Sequence, residues 1–326
     1  MKVFLILAAA SALAPLAAAQ GPATGSGSAY PAKPVRIVVG FAPGGGADIL
    51  ARMLGQRLSD SLGQSIVIDN RPGAAGNIGV EHVVKSPPDG YTLLMGAPGL
   101  VTSPSLYAKL PFDPLKDLAP VSLVGTVPNL LVVHPSVPAN SLKQLIALAR
   151  AKPGQLNYAS PGKGTSLHLA AELFKALAAI DIVHIAYKGG APAVADLMGG
   201  HVDLMFDVLP SSMPHVNARK LKALGITSAQ RSSLLPDVPT MAEGGLTGYQ
   251  AITWNGILAP AATPKDIVGK LNTAIVQAVQ TPDMKQRLAG IGTEPAASTP
   301  EQFAAFLREE TAKWAHVIRS AGIKLE

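Results

Sequence analysis

The sequence predicts an α/β protein in which short buried strands alternate with amphipathic helices. The first observation is the β-branched run at 35–41, which is typical of a strand buried on both faces. The second is the segment 48–62, where Leu50, Leu54 and Leu58 recur on one face of a helix. The third is that this strand–helix order continues to the end of the chain, which favours two parallel sheets with helices on both faces.

The same patterns predict the remaining elements in chain order. Further strands are predicted at 65–69, 92–95, 122–124, 130–133, 156–159, 182–186, 202–206, 221–227 and 254–259. Further helices are predicted at 141–151, 166–178, 191–198 and 263–279, and two more open at Thr281 and Thr299. Thr263 and Thr299 each begin a capping box followed by proline, so each is expected to cap a helix.

Composition restricts the class of protein. The 326 residues are 48% hydrophobic and 15% charged, so the chain can form a substantial core. Its net charge of +6 is spread singly and only 5% of residues are aromatic, which argues against nucleic-acid binding. The chain has no cysteine, which excludes disulfides, thiol catalysis, thiolate metal sites and a lipid anchor on cysteine.

The first 19 residues are typical of an export signal. Lys2 precedes an apolar, alanine-rich run, and residues 17–19 fit the small-residue cleavage rule. Residues 20–29 are rich in glycine and serine and are expected to form a flexible leader. An uncleaved anchor is the alternative, but the apolar run is short for a membrane span. We therefore expect an exported protein that is soluble after cleavage.

Five turns that follow predicted strands carry groups able to bind an anion. Ligands of α/β sheets bind where strands end and helices begin, so function is expected in these turns. In the first, at 41–48, three successive glycines let the backbone and the helix-opening amides approach a ligand. It lacks the GK[ST] of a phosphate loop and the third glycine of a dinucleotide fingerprint. The other four are 70–77, 160–168, 187–190 and Asp207, and each has the alternative of a tight turn, a helix cap or a packed side chain.

Motifs of common catalytic and metal sites are missing from the sequence. There is no HExxH, no GxSxG elbow and no Cys/His cluster, and the seven histidines are dispersed. No pair of carboxylates has the pattern of an acid/base couple. Donor-rich turns without a nucleophile indicate binding, so we expect no enzyme activity, no cofactor and no metal.

Seven segments together indicate a family. They are YPAKPVRIVVGFAPGGGADILAR, NRPGAAGNIG, DGYTLLMG, NYASPGKGTSLHLAAELF, AYKGGAPAVADLMGGHVDLMFD, PDVPTMAEGGLTGY and WNGILAPAATPKDIVGKLN. In this order and spacing they resemble the Bug family, the solute receptors of tripartite tricarboxylate transporters. The resemblance implies a type II periplasmic-binding-protein fold, with two α/β lobes joined by crossing hinge strands and a ligand cleft between them. Lobe one would comprise 30–128 and 252–326 and lobe two 129–251, with crossings near 127–130 and 249–254.

The resemblance also implies the site. A small organic carboxylate would lie between the lobes, held mainly by backbone amides and hydroxyls. The implied contacts are Phe41, Pro43, Gly44, Gly45, Gly46, Ala47, Asp48, Ala75 and Gly76 from lobe one, and Ser160, Gly164, Thr165, His168, Lys188 and Asp207 from lobe two. Many relatives have a hydroxyl residue where this chain has Ala47, and Leu167 occupies a position that is often polar in relatives.

Three hypotheses for function follow. The leading one is a monomeric periplasmic receptor that delivers its ligand to the membrane components of a tripartite tricarboxylate transporter. The alternative is a carboxylate sensor whose closed form signals to a membrane sensor kinase. The third is a secreted hydrolase using Ser160 or Ser166 with His168, although residues two apart on a helix do not face each other.

Overall fold

The computed structural model describes residues 30–41, 43–187 and 190–323. The predicted export signal, the leader at 20–29 and the predicted site residue Lys188 lie outside these ranges. Within them, two separate sheets form, with six and five strands. The predicted two-lobed α/β fold is confirmed by its structural neighbours, which are described below.

The six-stranded sheet contains the N-terminal strands and the strands that return near the C-terminus. Its order is β11-β4-β10-β3-β1-β2, formed by β1 (Val35–Val39), β2 (Ile66–Asn70), β3 (Thr92–Gly96), β4 (Leu118–Val127), β10 (Thr253–Pro260) and β11 (Glu294–Pro295). The first strand pairs in parallel with both β2 and β3. In contrast, β10 runs antiparallel to β3 and β4, and β11 runs antiparallel to β4.

The five-stranded sheet contains the middle of the chain. Its order is β7-β6-β8-β5-β9, formed by β5 (Asn129–Val133), β6 (Asn157–Ser160), β7 (Val183–Ala186), β8 (Leu204–Val208) and β9 (Lys222–Ile226). Both partners of β6 are parallel to it, whereas β5 is antiparallel to β8 and β9. The prediction of parallel sheets is therefore confirmed for the pairs β1–β2, β1–β3, β6–β7 and β6–β8 and is wrong for β5, β10 and β11. A strand that arrives from the other lobe, as β5 and β10 do, does not follow a βαβ crossover and can run in either direction.

Ten α-helices cover the sheets in the described part of the chain. They are α1 (Gly46–Leu62), α2 (Asn77–Val84), α3 (Gly99–Leu106), α4 (Leu142–Ala151), α5 (Ser166–Ala178), α6 (Gly190–Met198), α7 (Leu209–Asn217), α8 (Lys265–Gln280), α9 (Pro282–Gly290) and α10 (Pro300–Ser320). The sequence patterns did not predict α3 and α7. Each has a proline inside it, Pro104 and Pro214, which reads as a helix breaker in a local window.

The two predicted capping boxes have different outcomes. At α10 the prediction is confirmed, because Thr299 accepts from the Gln302 amide while the Gln302 side chain accepts from the Thr299 amide. At α8 it is wrong, since Pro264 is the cap residue and makes no side-chain cap bond. The buried Thr263 hydroxyl there has no hydrogen-bond partner in the described residues.

Two chain segments connect the sheets. One runs from β4 through Pro128 into β5, and the other returns into β10. The buried Asn129 joins them: its side-chain amide donates to the Ala251 carbonyl over 2.9 Å and accepts from the Thr253 hydroxyl over 3.3 Å. Helix α10 also packs against both α3 and α5. The exact lobe boundaries, 128/129 and 251/252, stay a prediction.

Candidate functional site

A cleft of about 840 Å³ opens between elements of the two sheets. Most of its wall comes from the elements of the six-stranded sheet: Phe41, Gly45, Gly46, Ala47, Ile49, Ala75, Ala97, Pro98, Gly99, Thr102, Ser103, Leu106, Val127, Thr253, Asn255, Gly290, Ile291 and Thr293. The facing wall is formed by Pro161, Gly164, Thr165, Ser166, Leu167, Val208, Pro210 and Ser211. None of these described lining residues is charged.

Four helices begin at this cleft. Helices α1 and α3 start from the wall that belongs to the six-stranded sheet, and α5 and α7 start from the facing wall. The first amides of a helix have no partner within the helix, and the helix dipole places partial positive charge there. The cleft therefore has the electrostatic character of an anion site without a cationic side chain in its described lining.

The turn between β1 and α1 combines a ligand-facing part and a buried anchor. Gly45, Gly46 and Ala47 line the cleft, as does Phe41, whereas Pro43 and Gly44 are not in its wall. Gly44 has a φ of 84°, a conformation that favours glycine, and its amide donates to the Asp48 carboxylate over 2.8 Å.

Asp48 lies behind this turn. Its carboxylate also accepts from Arg52 and from the Asn70 side chain over 2.9 Å, and only 2% of the residue is exposed. The hydrogen bond from Arg52 lowers the pKa of Asp48 to about 2, against the opposing effect of burial and with support from Gly44 and Asn70. Asp48 thus stays ionised and holds the turn in shape.

The turn between β2 and α2 approaches the first one closely. Ala75 lines the cleft with a φ of 55°, while Gly76 borders a small adjoining cavity of about 10 Å³. A Cβ atom on Gly40 would meet the Gly76 Cα at 2.8 Å, so only glycine fits where the two backbones touch.

The turn between β6 and α5 contributes the facing wall. Gly164 and Thr165 line the cleft. Thr165 caps α5, with its hydroxyl accepting from the His168 amide over 3.3 Å. His168 lies behind the turn, 3% exposed, and its Nδ1 accepts from the Gly164 amide over 3.0 Å, so the proton of the neutral ring is on Nε2.

A stack of rings fills the space behind this turn. The imidazoles of His168 and His184 lie 4.0 Å apart and nearly parallel, and Tyr158 stacks on His184 at 4.8 Å. Burial lowers the pKa of His168 to about 3, and His184 adds to the effect. The Ser160 hydroxyl is fully buried and bonds to His184 Nε2 over 2.7 Å. Ser160 is therefore paired with His184 and not with His168, and it is absent from the cleft wall.

Asp207 lies at the end of β8, just before α7. It is 2% exposed and accepts from the Ser212 hydroxyl over 2.7 Å. Burial raises the pKa of Asp207, while hydrogen bonds from Ser211 and Ser212 oppose the rise. Its neighbours Val208, Pro210 and Ser211 line the cleft, so Asp207 supports that wall from behind.

Several lining residues were not singled out from the sequence. The turn at Ala97, Pro98 and Gly99 follows a strand and opens a helix, so the rule used for the other turns also applied to it. Asn255, from the antiparallel strand β10, and the loop 290–293 carry no local signal, because a distant chain segment brings them to the cleft.

No group of three or more His, Asp or Glu side chains that could hold a metal ion occurs in 30–41, 43–187 and 190–323. Across the same ranges, every helix is too short or too polar to span a membrane.

Comparisons with known proteins agree with this geometry. The model of the family described as tripartite tricarboxylate transporter family receptor matches residues 50–323. Protein BugT of Bordetella pertussis is 41% identical over 303 residues, covering 92% of this chain and 93% of BugT.

Two solved structures with bound ligands are also similar. An R. palustris protein with adipate is 40% identical, with a TM-score of 0.80 over 91% of this chain and 100% of that one. MatC from Rhodopseudomonas palustris with bound malate is 33% identical, with a TM-score of 0.76 over 89% of this chain and 100% of that one. The resemblance predicted from the sequence is confirmed: the chain belongs to the family of tripartite tricarboxylate transporter receptors, which includes the Bug proteins.

Proposed function

We propose that this protein is a periplasmic receptor that captures a small organic carboxylate between its two lobes and delivers it to the membrane components of a tripartite tricarboxylate transporter. The observation that carries the proposal is the convergence of four helix starts on a cleft with no charged residue in its described wall. Such a site stabilises an anion through oriented amides instead of a cationic partner.

The magnitudes support capture of an anion by uncharged donors. Each charge-assisted hydrogen bond contributes about 1.5–3 kcal/mol, so three or four can sustain micromolar binding after the entropy of association is lost. In this mechanism Gly45, Gly46 and Ala47 hold the carboxylate from one lobe. Thr165 and Ser166 hold it from the other. The ligands of the two relatives, adipate and malate, are both carboxylates of this kind.

Delivery follows from closure of the lobes. The outgoing connection between the sheets is the single residue Pro128, and Asn129 ties it to the returning segment at Ala251 and Thr253, which suits a hinge. A ligand that contacts both walls favours the closed form, and the closed surface is what a membrane partner would recognise. The competing hypothesis keeps this capture but makes a sensor kinase the partner.

A thermal-shift screen of residues 20–326 tests capture. Mono-, di- and tricarboxylates, amino acids and aromatic acids are compared with sugars and amines of similar size. A ligand that binds only the native state raises the melting temperature. At a ligand concentration of about a hundred times Kd it adds about 2.7 kcal/mol to the free energy of unfolding. We expect shifts with carboxylates only. Shifts with sugars or amines, or turnover of ester substrates by the pure protein, would contradict the proposal.

Uptake measurements distinguish a transporter partner from a sensor-kinase partner. Deleting the gene should abolish accumulation of the labelled ligand if the protein feeds a transporter. Unchanged uptake together with lost ligand-dependent gene induction would favour the sensor.

A further inference from the structure

Apolar side chains follow the anion-binding amides on the cleft surface. Ile49 lies one turn into α1 from Gly46, and Leu167 directly follows the first residue of α5. Residues three or four apart share a helix face, so Ile49 stands beside the amides of its own helix start. A carboxylate placed at the helix starts would therefore have its adjoining atoms against apolar side chains.

The exposed surface of the cleft is mainly apolar, because several of its polar lining residues are buried. Phe41 and Ile49 line the cleft and are 37% and 39% exposed, so both present apolar surface to it. Thr102, Ser103 and Thr293 line the same cleft but are at most 4% exposed. Asn255 is also buried, and its side-chain amide donates to the Gly96 carbonyl over 3.2 Å. These polar groups thus present little surface to a ligand, and the hydroxyls within its reach are those of Thr165, Ser166, Ser211 and Thr253.

We infer that the ligand carries a hydrocarbon body, a chain or a ring, directly after the carboxylate held at the helix starts. This inference rests on the proposed function and adds the class of carboxylate. Lobe closure would bring Phe41 and Ile49 against that body, whereas Leu167 is only 8% exposed and would add little surface. Burying its CH₂ groups favours binding, while buried hydroxyls without partners would oppose it.

Hexanoate and gluconate form a matched pair of probes, since each has six carbons and one carboxylate. Isothermal titration calorimetry of residues 20–326 should give hexanoate an affinity at least about tenfold above that of gluconate. Benzoate should have an affinity close to that of hexanoate. Tartrate and citrate should have affinities close to that of gluconate. Gluconate, tartrate or citrate binding as tightly as hexanoate would overturn the inference while leaving the proposed function intact. Failure of every carboxylate to bind would overturn both.

A pair of variants locates the effect. Ile49→Thr should weaken hexanoate binding about three- to tenfold and should not weaken gluconate binding, because it shortens the apolar side chain and replaces part of it with a hydroxyl. Ile78→Thr is the control: Ile78 is 51% exposed at the start of α2 and does not line the cleft. Melting of each variant without ligand verifies folding. Equal hexanoate affinity for Ile49→Thr and the wild type would contradict a role for this wall.

Discussion

The two lobes hold their ligand-facing turns by the same geometry with different chemistry. In the β1–α1 turn, the amide of Gly44 donates to Asp48, four residues later. In the β6–α5 turn, the amide of Gly164 donates to His168, again four residues later. Both glycines have a left-handed φ, 84° and 79°. In each lobe a buried acceptor in the first turn of a helix fixes the loop that faces the cleft.

The difference lies in charge. Asp48 is an ionised acceptor compensated by Arg52, whereas His168 is a neutral imidazole stacked on a second imidazole. Burial of a charge requires partners, and Asp48 has three, while a buried neutral ring requires only that no proton be added. Asp48 and His168 both bond to the backbone of a turn. Residues at site-like sequence positions can therefore hold a turn in shape without being ligand contacts themselves.

The largest expected effect is the loss of the ionic anchor. Asp48→Ala should lower the free energy of unfolding by about 3 kcal/mol, because the buried acceptor of three donors disappears. Urea denaturation at neutral pH measures it. Asp69→Ala is the control, since Asp69 accepts from Arg36 and Arg71 near the surface and should cost about 1 kcal/mol or less. Equal losses from the two variants would contradict an anchoring role.

The neutral imidazole of His168 predicts that the protein loses stability as the pH falls. The pKa of His168 falls from 6.5 to about 3 on folding, so the folded state favours the neutral ring. The contribution of His168 to the free energy of unfolding is therefore fully present above about pH 6.5. It is lost as the pH falls towards 3, at about 1.4 kcal/mol per pH unit. His184, Lys175 and Lys163 add to the lowering of the His168 pKa. Glu172, whose Oε1 is 3.9 Å from His168 Nε2, acts against that lowering.

Urea denaturation at several pH values between 6.5 and 5 measures this response, and we expect a loss of about 2 kcal/mol. His168→Asn is the control, because it retains an acceptor for Gly164 and cannot titrate. A slope in His168→Asn as steep as in the wild type would assign the acid response to other groups. Asp48, with its lowered pKa, should lose its contribution only as the pH falls from about 4 towards 2.

The two glycines should cost similar amounts to replace. Gly44→Ala and Gly164→Ala should each lower the free energy of unfolding by about 1.5 kcal/mol, since both backbones are left-handed. Gly269→Ala, in the middle of α8 with open space around it, should instead stabilise the protein by about 0.5–1 kcal/mol. Thermal or urea unfolding distinguishes the signs, and a neutral Gly44→Ala would contradict the geometry of the turn.

The smallest expected effect separates capping from binding. Thr165→Ala and Thr281→Ala each remove a helix N-cap and should cost about 1 kcal/mol of stability. Only Thr165 lines the cleft, so only Thr165→Ala should also weaken carboxylate binding in calorimetry. Equal affinity in both variants would restrict Thr165 to its capping role.

Much of the fold was predictable from the sequence because it depends on local patterns. The 3.6-residue periodicity of α1 and α4, the β-branched run of β1 and the capping box at Thr299 each act within one element. The turns at 41–48 and 160–168 were also predictable, since glycines after a strand indicate a close backbone approach.

The direction of β5 and β10 and the roles of the buried polar residues depend on distant parts of the chain. Ser160 meets His184 across 24 residues, and Asn129 meets Ala251 across 122. No local window contains both partners of these two pairs. Asp48 and His168 bond to glycines only four residues away, but their burial depends on packing, so the sequence alone left them as candidate ligand contacts.

The sequence by itself thus determined the class, the family and the turns at which the site lies, because those follow from short-range periodicity and motif spacing. Only the tertiary structure decided which side chain of each turn faces the cleft. Burial is settled when two sheets and their helices pack, and packing turns Asp48 and His168 inward while leaving Phe41 and Ile49 exposed in the cleft.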